Sequence, residues 1–247
     1  MFFIRYIIIS LLISNLWAIG PQGLTIPANG EILSNSGTGI AGDIDITLNP
    51  AMKKLESSYI QFSLNSWLGD LSGSYTLFRW GKTIPKQIGI QTWSANKIKL
   101  YGDSPTDRPL GEFDVHWTSV SFGASHNFNS KYIFGLRVQT HYSHLFTESS
   151  LGVTFDLGTL IPINKIFSIG STISNIGYEY SSSKQSTLPF EYGIGSNIKV
   201  PLLKSSILAD ILYNKSNGLE KRWAIVTNWK YLNINMGRSF AQKRNAS

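Results

Sequence analysis

The stretch Tyr132-Ile-Phe-Gly-Leu-Arg-Val-Gln-Thr-His-Tyr142 decides the fold class. Side chains alternate across a strand, so residues two apart share a face. Tyr132, Phe134, Leu136, Val138 and Tyr142 fall on one face. Gly135, Arg137, Gln139 and His141 fall on the other. Four other stretches repeat the pattern. Ile60, Phe62 and Leu64 oppose Gln61, Ser63 and Asn65. Val120, Phe122 and Ala124 oppose Ser119, Ser121, Gly123 and Ser125. Phe167, Ile169 and Ile173 oppose Ser168, Gly170, Thr172 and Ser174. Leu232, Ile234 and Met236 oppose Asn233, Asn235 and Gly237. A membrane barrel would turn the apolar face to lipid and the polar face to a lumen. A soluble sandwich would turn the apolar face inward. Alternation alone leaves both open.

The spacing predicts eleven strands, near 58–67, 72–80, 86–95, 113–126, 131–143, 148–160, 165–176, 188–200, 205–214, 220–229 and 231–240. Their connections differ by side. Those at 81–85, 127–130, 161–164 and 201–204 are short. On the other side lie 96–112, 144–147, 177–187 and 215–219, two of them long. Short turns opposite longer loops favour an outer-membrane barrel. Trp67, Trp80, Trp93, Trp117, Trp223 and Trp229 fall near predicted strand ends, where interfacial girdles form, and Tyr101, Tyr142, Tyr178 and Tyr192 are placed to join them.

Composition agrees. Of 247 residues only 15% are charged, against about 25% in soluble domains. Aromatics reach 13%, which excludes a disordered chain. After the N-terminus no run of about 20 apolar residues occurs, which excludes a helical bundle in a membrane. There is no cysteine, so neither disulfides nor thiol chemistry operate. The net charge is +7, but no more than two basic residues adjoin, and no nucleic-acid partner is expected. Residues 1–18 read as an export signal, with Arg5 ahead of an apolar core and Ala18 at the cut.

Residues 19–57 differ from the remainder. They are Gly-rich, weakly periodic and contain Asn49-Pro50-Ala51. Pro50 suits a first helical position, so residues 50–56 are expected to form one or two helical turns capped by Asn49, with small Ala51 closely packed. Such a segment is placed to plug a lumen. The expected organisation is a signal peptide (1–18), a plug segment (19–57) and an antiparallel up-and-down β-barrel (58–247).

The run Gly39-Ile-Ala-Gly42-Asp43-Ile-Asp45-Ile-Thr-Leu-Asn49-Pro50-Ala51 resembles the N-terminal motif of the FadL-like PorV/PorQ barrels. Later landmarks follow in order: Gly111-Glu112-Phe113 after a loop holding Tyr101, Asp103, Asp107 and Arg108; Phe155-Asp156-Leu157-Gly158; Ser174-Asn175-Ile176-Gly177; and Leu188-Pro189-Phe190. The Gly-Glu-Phe and Leu-Pro-Phe forms look closer to PorQ. The resemblance implies an integral outer-membrane component of type IX secretion, in contact with outer-membrane lipid. It implies partners similar to PorZ or PorU, which attach secreted cargo to the cell surface. It also implies fourteen strands, three more than the alternation yields. Either residues 24–34 or 43–48 supply a further strand, or the chain is a shortened member.

The chemistry-bearing residues point away from an enzyme. His141 and His144 have a spacing that sends them to opposite faces of a strand. No hydrolase, nucleotide-binding or zinc-protease pattern occurs, and no cofactor or metal is expected. Asp43 and Asp45 either hold an ion or, as the simpler reading, bond Gly-rich backbone and lumen groups. Arg137 and Gln139 are expected to meet acidic residues or water. Tyr178 and Tyr180, with Tyr101, Asp103, Asp107, Arg108, Glu112 and Phe113, are expected on partner-facing loops. Two function classes follow: a scaffold for secretion and attachment, or a transporter of hydrophobic solutes like the FadL barrels.

Overall fold

The computed structural model describes residues 22–66, 71–101, 108–128, 131–145, 148–181, 188–214, 218–229 and 232–241. The proposed signal peptide, Trp67, Asp103 and Asp107 lie outside them. The fold is all-β. Eleven strands form one antiparallel sheet in chain order: β1 (Tyr59–Ser66), β2 (Leu71–Trp80), β3 (Lys86–Leu100), β4 (Gly111–Phe128), β5 (Tyr132–Leu145), β6 (Glu148–Pro162), β7 (Phe167–Ser181), β8 (Glu191–Val200), β9 (Ser205–Asn214), β10 (Gly218–Trp229) and β11 (Leu232–Ala241). Among the described residues, β1 and β11 are the edges of this sheet.

Period-two alternation therefore located every strand, and it missed mainly at the ends. β3 and β4 run past the predicted limits because a bulge between Ala95 and Ile98 lets pairing resume, with Ile98 opposite Phe113 and Lys99 opposite Glu112. Lys97 takes the bulge in a left-handed conformation (φ 57), and its N–H donates to Asp114 Oδ1 at 2.8 Å. Pairing there satisfies backbone groups that a loop would leave to water.

The two faces are reversed relative to a soluble sheet. Leu136 and Leu151 are 46% and 59% exposed, whereas Arg137 and Asp156 are 5% and 1% exposed. Ile60, Phe62, Leu64, Phe122, Phe155, Ile194, Ile211 and Ile234 are exposed on the outer face. Gln87, Gln91, Ser121, Gln139, His141, Thr154, Glu179 and Asp210 are buried on the inner one.

Residues 22–57 cover the inner face. A single α-helix, α1 (Gly30–Ser34), is capped by Asn29, whose side chain accepts from Ile32 N at 2.9 Å. The segment touches strand after strand. Ala28 O accepts from Asn65 of β1, and Ile26 O accepts from Gln91 of β3. Met52 O accepts from Ser125 of β4, and Ala41 O from Ser168 of β7. Gly39 and Ile40 donate to Asp210 of β9, while Gly37 O accepts from Arg222 of β10. Asn35 backbone lies against Gly237 of β11. Laid flat, eleven strands at about 4.8 Å spacing would span roughly 50 Å. Ala28 on β1 and Asn35 on β11 are joined by one short helix, so the sheet curves around this segment.

Two expectations for the segment need correction. Residues 50–56 form no helix; the helical turns are α1 and a 3-10 turn at Gln22–Thr25. Neither 24–34 nor 43–48 forms a strand, because their backbone groups bond within turns and to side chains of the sheet. Trp93 and Trp117 also correct their expected position. They pair across β3 and β4 on the inner face, which they share with Gln91 and Ser119, and both strands continue beyond them. Trp80, Phe78, Phe122, Phe128 and Phe134 instead form an outer aromatic group at the short-turn end, with Phe78 stacked on Trp80 at 4.9 Å.

Candidate functional site

The candidate site is the polar interior between the N-terminal segment and the sheet. Inner-face glycines make room for it. A Cβ at Gly135 would overlap the Pro50 carbonyl, at Gly158 the Asn49 side chain, and at Gly170 the Ile40 carbonyl. The backbone can approach the sheet this closely only where the strand presents no side chain.

Asn49-Pro50-Ala51 sits at the centre. Asn49 Nδ2 donates to Ile40 O at 2.7 Å and to Thr159 O at 3.0 Å, and Asn49 Oδ1 accepts from Ala51 N at 2.9 Å. The carboxamide thus stitches two parts of the segment to β6 rather than capping a helix. Ala51 is buried with Ala41, Ile133 and Leu160, the close packing its small side chain predicted. Gly42 closes a tight turn by donating to Gly39 O at 2.9 Å.

Asp43 and Asp45 do not converge. Asp43, left-handed at φ 56, pairs with Arg79 of β2 at 2.9 Å and accepts from Lys53 N at 3.2 Å. Asp45 accepts from Thr47 N and Oγ1 at 2.8 and 2.9 Å, from Tyr75 at 3.3 Å and from Asn29 at 3.3 Å. Burial pushes the Asp45 carboxyl above the usual carboxylate range; the Thr47 bonds and the Arg137 charge oppose that shift. Each aspartate has its own set of partners, as the polar-network reading expects. No group of three His, Cys, Asp or Glu suited to a metal occurs among the described residues.

The inner charges are compensated across strands. Arg137 of β5 pairs with Asp156 of β6. Arg222 bonds Glu220 at 2.8 Å and stands 4.0 Å from Glu191. His141 Nε2 lies 3.9 Å from Glu179 Oε1, which also accepts from Ser150 Oγ. The Ser150 hydroxyl is thus bonded to a carboxylate rather than to the imidazole. His144 is separate and bonds Ser149 at 2.9 Å.

Three distant landmarks meet at one bulge. Asp156 Oδ1 accepts from Asn175 N at 2.7 Å, and Asn175 Nδ2 donates to Pro189 O at 3.0 Å. Asn175 is left-handed (φ 61) where the β6–β7 register shifts between Phe155 and Leu157. Asp156 therefore satisfies both a buried arginine and a bulged N–H. Beside it lies a cavity of about 190 Å³, lined in part by Pro27, Thr47, Arg137, Glu191 and Arg222.

The residues expected on partner-facing loops divide. Tyr101 is exposed at the end of β3, and Arg108 is exposed ahead of β4. Glu112 and Phe113 lie within β4, and Tyr178 and Tyr180 within β7, so these four belong to strand extensions rather than loops. Tyr178 and Tyr180 point outward opposite Val153 and Leu151. Sequence reasoning missed Tyr75, Arg79, Asp210 and Arg222. For Asp210 and Arg222 the available signal was a charge at a mid-strand position on the polar face, and for Arg79 a charge on that face one residue from the end of β2. No protein-family model matches the chain, and no curated protein matches it.

Proposed function

We propose that this chain is an integral outer-membrane β-barrel, its interior plugged by residues 22–57, that serves as a non-enzymatic scaffold in type IX secretion and surface attachment. The carrying observation is the reversed burial: exposed aliphatic and aromatic side chains outside, buried and compensated charges inside. In water the outer face would be an aggregation surface; in lipid it is the favourable one. Outer aromatics support a bilayer level. Phe134 and Tyr142 are eight residues apart on β5, about 27 Å along a strand, or about 21 Å of height at a tilt of about 40°. Lipid also disfavours open edges, so the sheet is read as closing into a barrel in the membrane.

The scaffold role rests on the family resemblance. It is favoured over solute transport because the interior is polar and filled by its own N-terminal segment. A tagged copy is purified from detergent-solubilised outer membranes and its co-eluting proteins identified. Salt-resistant recovery of a sortase-like protease or a large surface β-protein is the expected result. A clean monomer carrying bound fatty acid overturns the scaffold and makes it a transporter. Absence from the outer-membrane fraction overturns the barrel itself.

A further inference from the structure

Three described connections lie at the short-turn end of the sheet: 81–85, 163–166 and 201–204. Each carries one lysine (Lys82, Lys165 and Lys204), Lys131 directly precedes β5 at the same end, and none of these turns carries an acidic residue. The turns of this rim thus carry positive charge only.

A cavity of about 530 Å³ opens on that rim, lined by Lys53, Lys165 and Lys199 together with Pro162, Ile166 and Phe167. The N-terminal segment supplies Lys53, the β6–β7 turn Lys165 and the end of β8 Lys199. The turn is held in place: Asn164 Oδ1 accepts from Ile166 N at 2.8 Å and Phe167 N at 2.7 Å, and Lys199 N donates to Ile166 O at 2.8 Å. No salt bridge joins these three lysines to a carboxylate among the described residues. The Lys53 ammonium is held below its usual range, first by burial and then by repulsion from Lys199 and Arg79, against the pull of Asp43. An added anion would relieve that repulsion.

We propose that this lysine-lined cavity binds the phosphate of an anionic phospholipid headgroup at the short-turn rim. Lipid is favoured over free phosphate because Ile166 lines the cavity and large aliphatic side chains are exposed in the turns of the same rim: Ile84, Ile163, Leu202 and Leu203. Ammonium groups beside exposed aliphatic tips match the level where headgroups meet acyl chains. The assignment rests on the membrane-barrel reading above but not on the secretion role.

The test uses the full chain in neutral detergent, with phosphatidylglycerol or phosphatidylcholine added and bound lipid counted by native mass spectrometry. Phosphatidylglycerol is expected to bind at least about tenfold tighter. The triple variant Lys53→Gln/Lys165→Gln/Lys199→Gln should lose that preference, and the same three positions changed to Arg should keep it. Heat-modifiable migration on gels checks that each variant is folded. An equal preference in the Gln variant, or none in the native chain, overturns the site. Inorganic phosphate displacing phosphatidylglycerol at micromolar concentration reassigns the site to free phosphate and overturns the lipid. Insertion into phosphatidylcholine vesicles is measured alongside. Failure to insert sinks the membrane reading and the lipid site together, whereas insertion without preference sinks the site alone.

Discussion

Asn49 shows how much one carboxamide can organise. Its four bonds tie Ile40, Ala51, Thr159 and, at 3.5 Å, Ser171 together away from water. Asn49→Ala leaves one N–H and three carbonyls without that partner, each costing about 1–3 kcal/mol if unsatisfied. A loss of about 3 kcal/mol is expected, read as a lower urea midpoint of the detergent-solubilised protein. Asp45 tests the electrostatics. Its carboxyl is raised by burial, so between the ordinary carboxylate pKa and the raised one the folded state binds more proton than the unfolded chain. Its stabilising contribution is complete below the ordinary carboxylate range and is lost as pH rises through the raised value. Asp45→Asn removes this dependence. The variant should gain on the native protein between acid and neutral pH in unfolding midpoints taken at several pH values.

The β6–β7 bulge is the element on which the inner network turns. Asp156 serves Arg137 on one neighbouring strand and the Asn175 N–H on the other. Asp156→Ala strands a buried guanidinium and a bulged donor at once. Breaking a buried pair from one side typically costs about 3–5 kcal/mol. Arg137→Met/Asp156→Ala should recover only part of that loss, because Asn175 N–H stays unmet. Chemical denaturation of the single and double variants separates the two contributions. The Phe-Asp-Leu-Gly, Ser-Asn-Ile-Gly and Leu-Pro-Phe landmarks, scattered over some thirty-five residues of sequence, thereby acquire one structural explanation.

At the scale of the whole molecule, the outer face decides where the chain is stable. Leu136 stands in mid-strand on that face, flanked on it by Phe134 and Val138. An arginine at the middle of a lipid-facing band costs about 2–4 kcal/mol. Leu136→Arg should cut the folded, heat-modifiable fraction in phosphatidylcholine vesicles while leaving the inner network untouched. An unchanged fraction would argue that this face meets protein or water instead of lipid.

The order and number of strands were legible in the amino-acid order alone. Alternation is a local property of an extended chain, and eleven alternating stretches became eleven strands. The placement of Arg137, Gln139 and His141 on a shared polar face followed from the same rule. Other features depended on residues far apart in the chain. Alternation cannot say which face is covered, and the exposed apolar face emerged only when the sheet curved around residues 22–57. The seating of Trp93 and Trp117 away from the strand ends depended on a bulge that prolonged β3 and β4. Asn49 found carbonyl partners on a strand more than a hundred residues away instead of capping a helix. Local period sets which side chains share a face; sheet curvature and long-range hydrogen bonding set what each face meets.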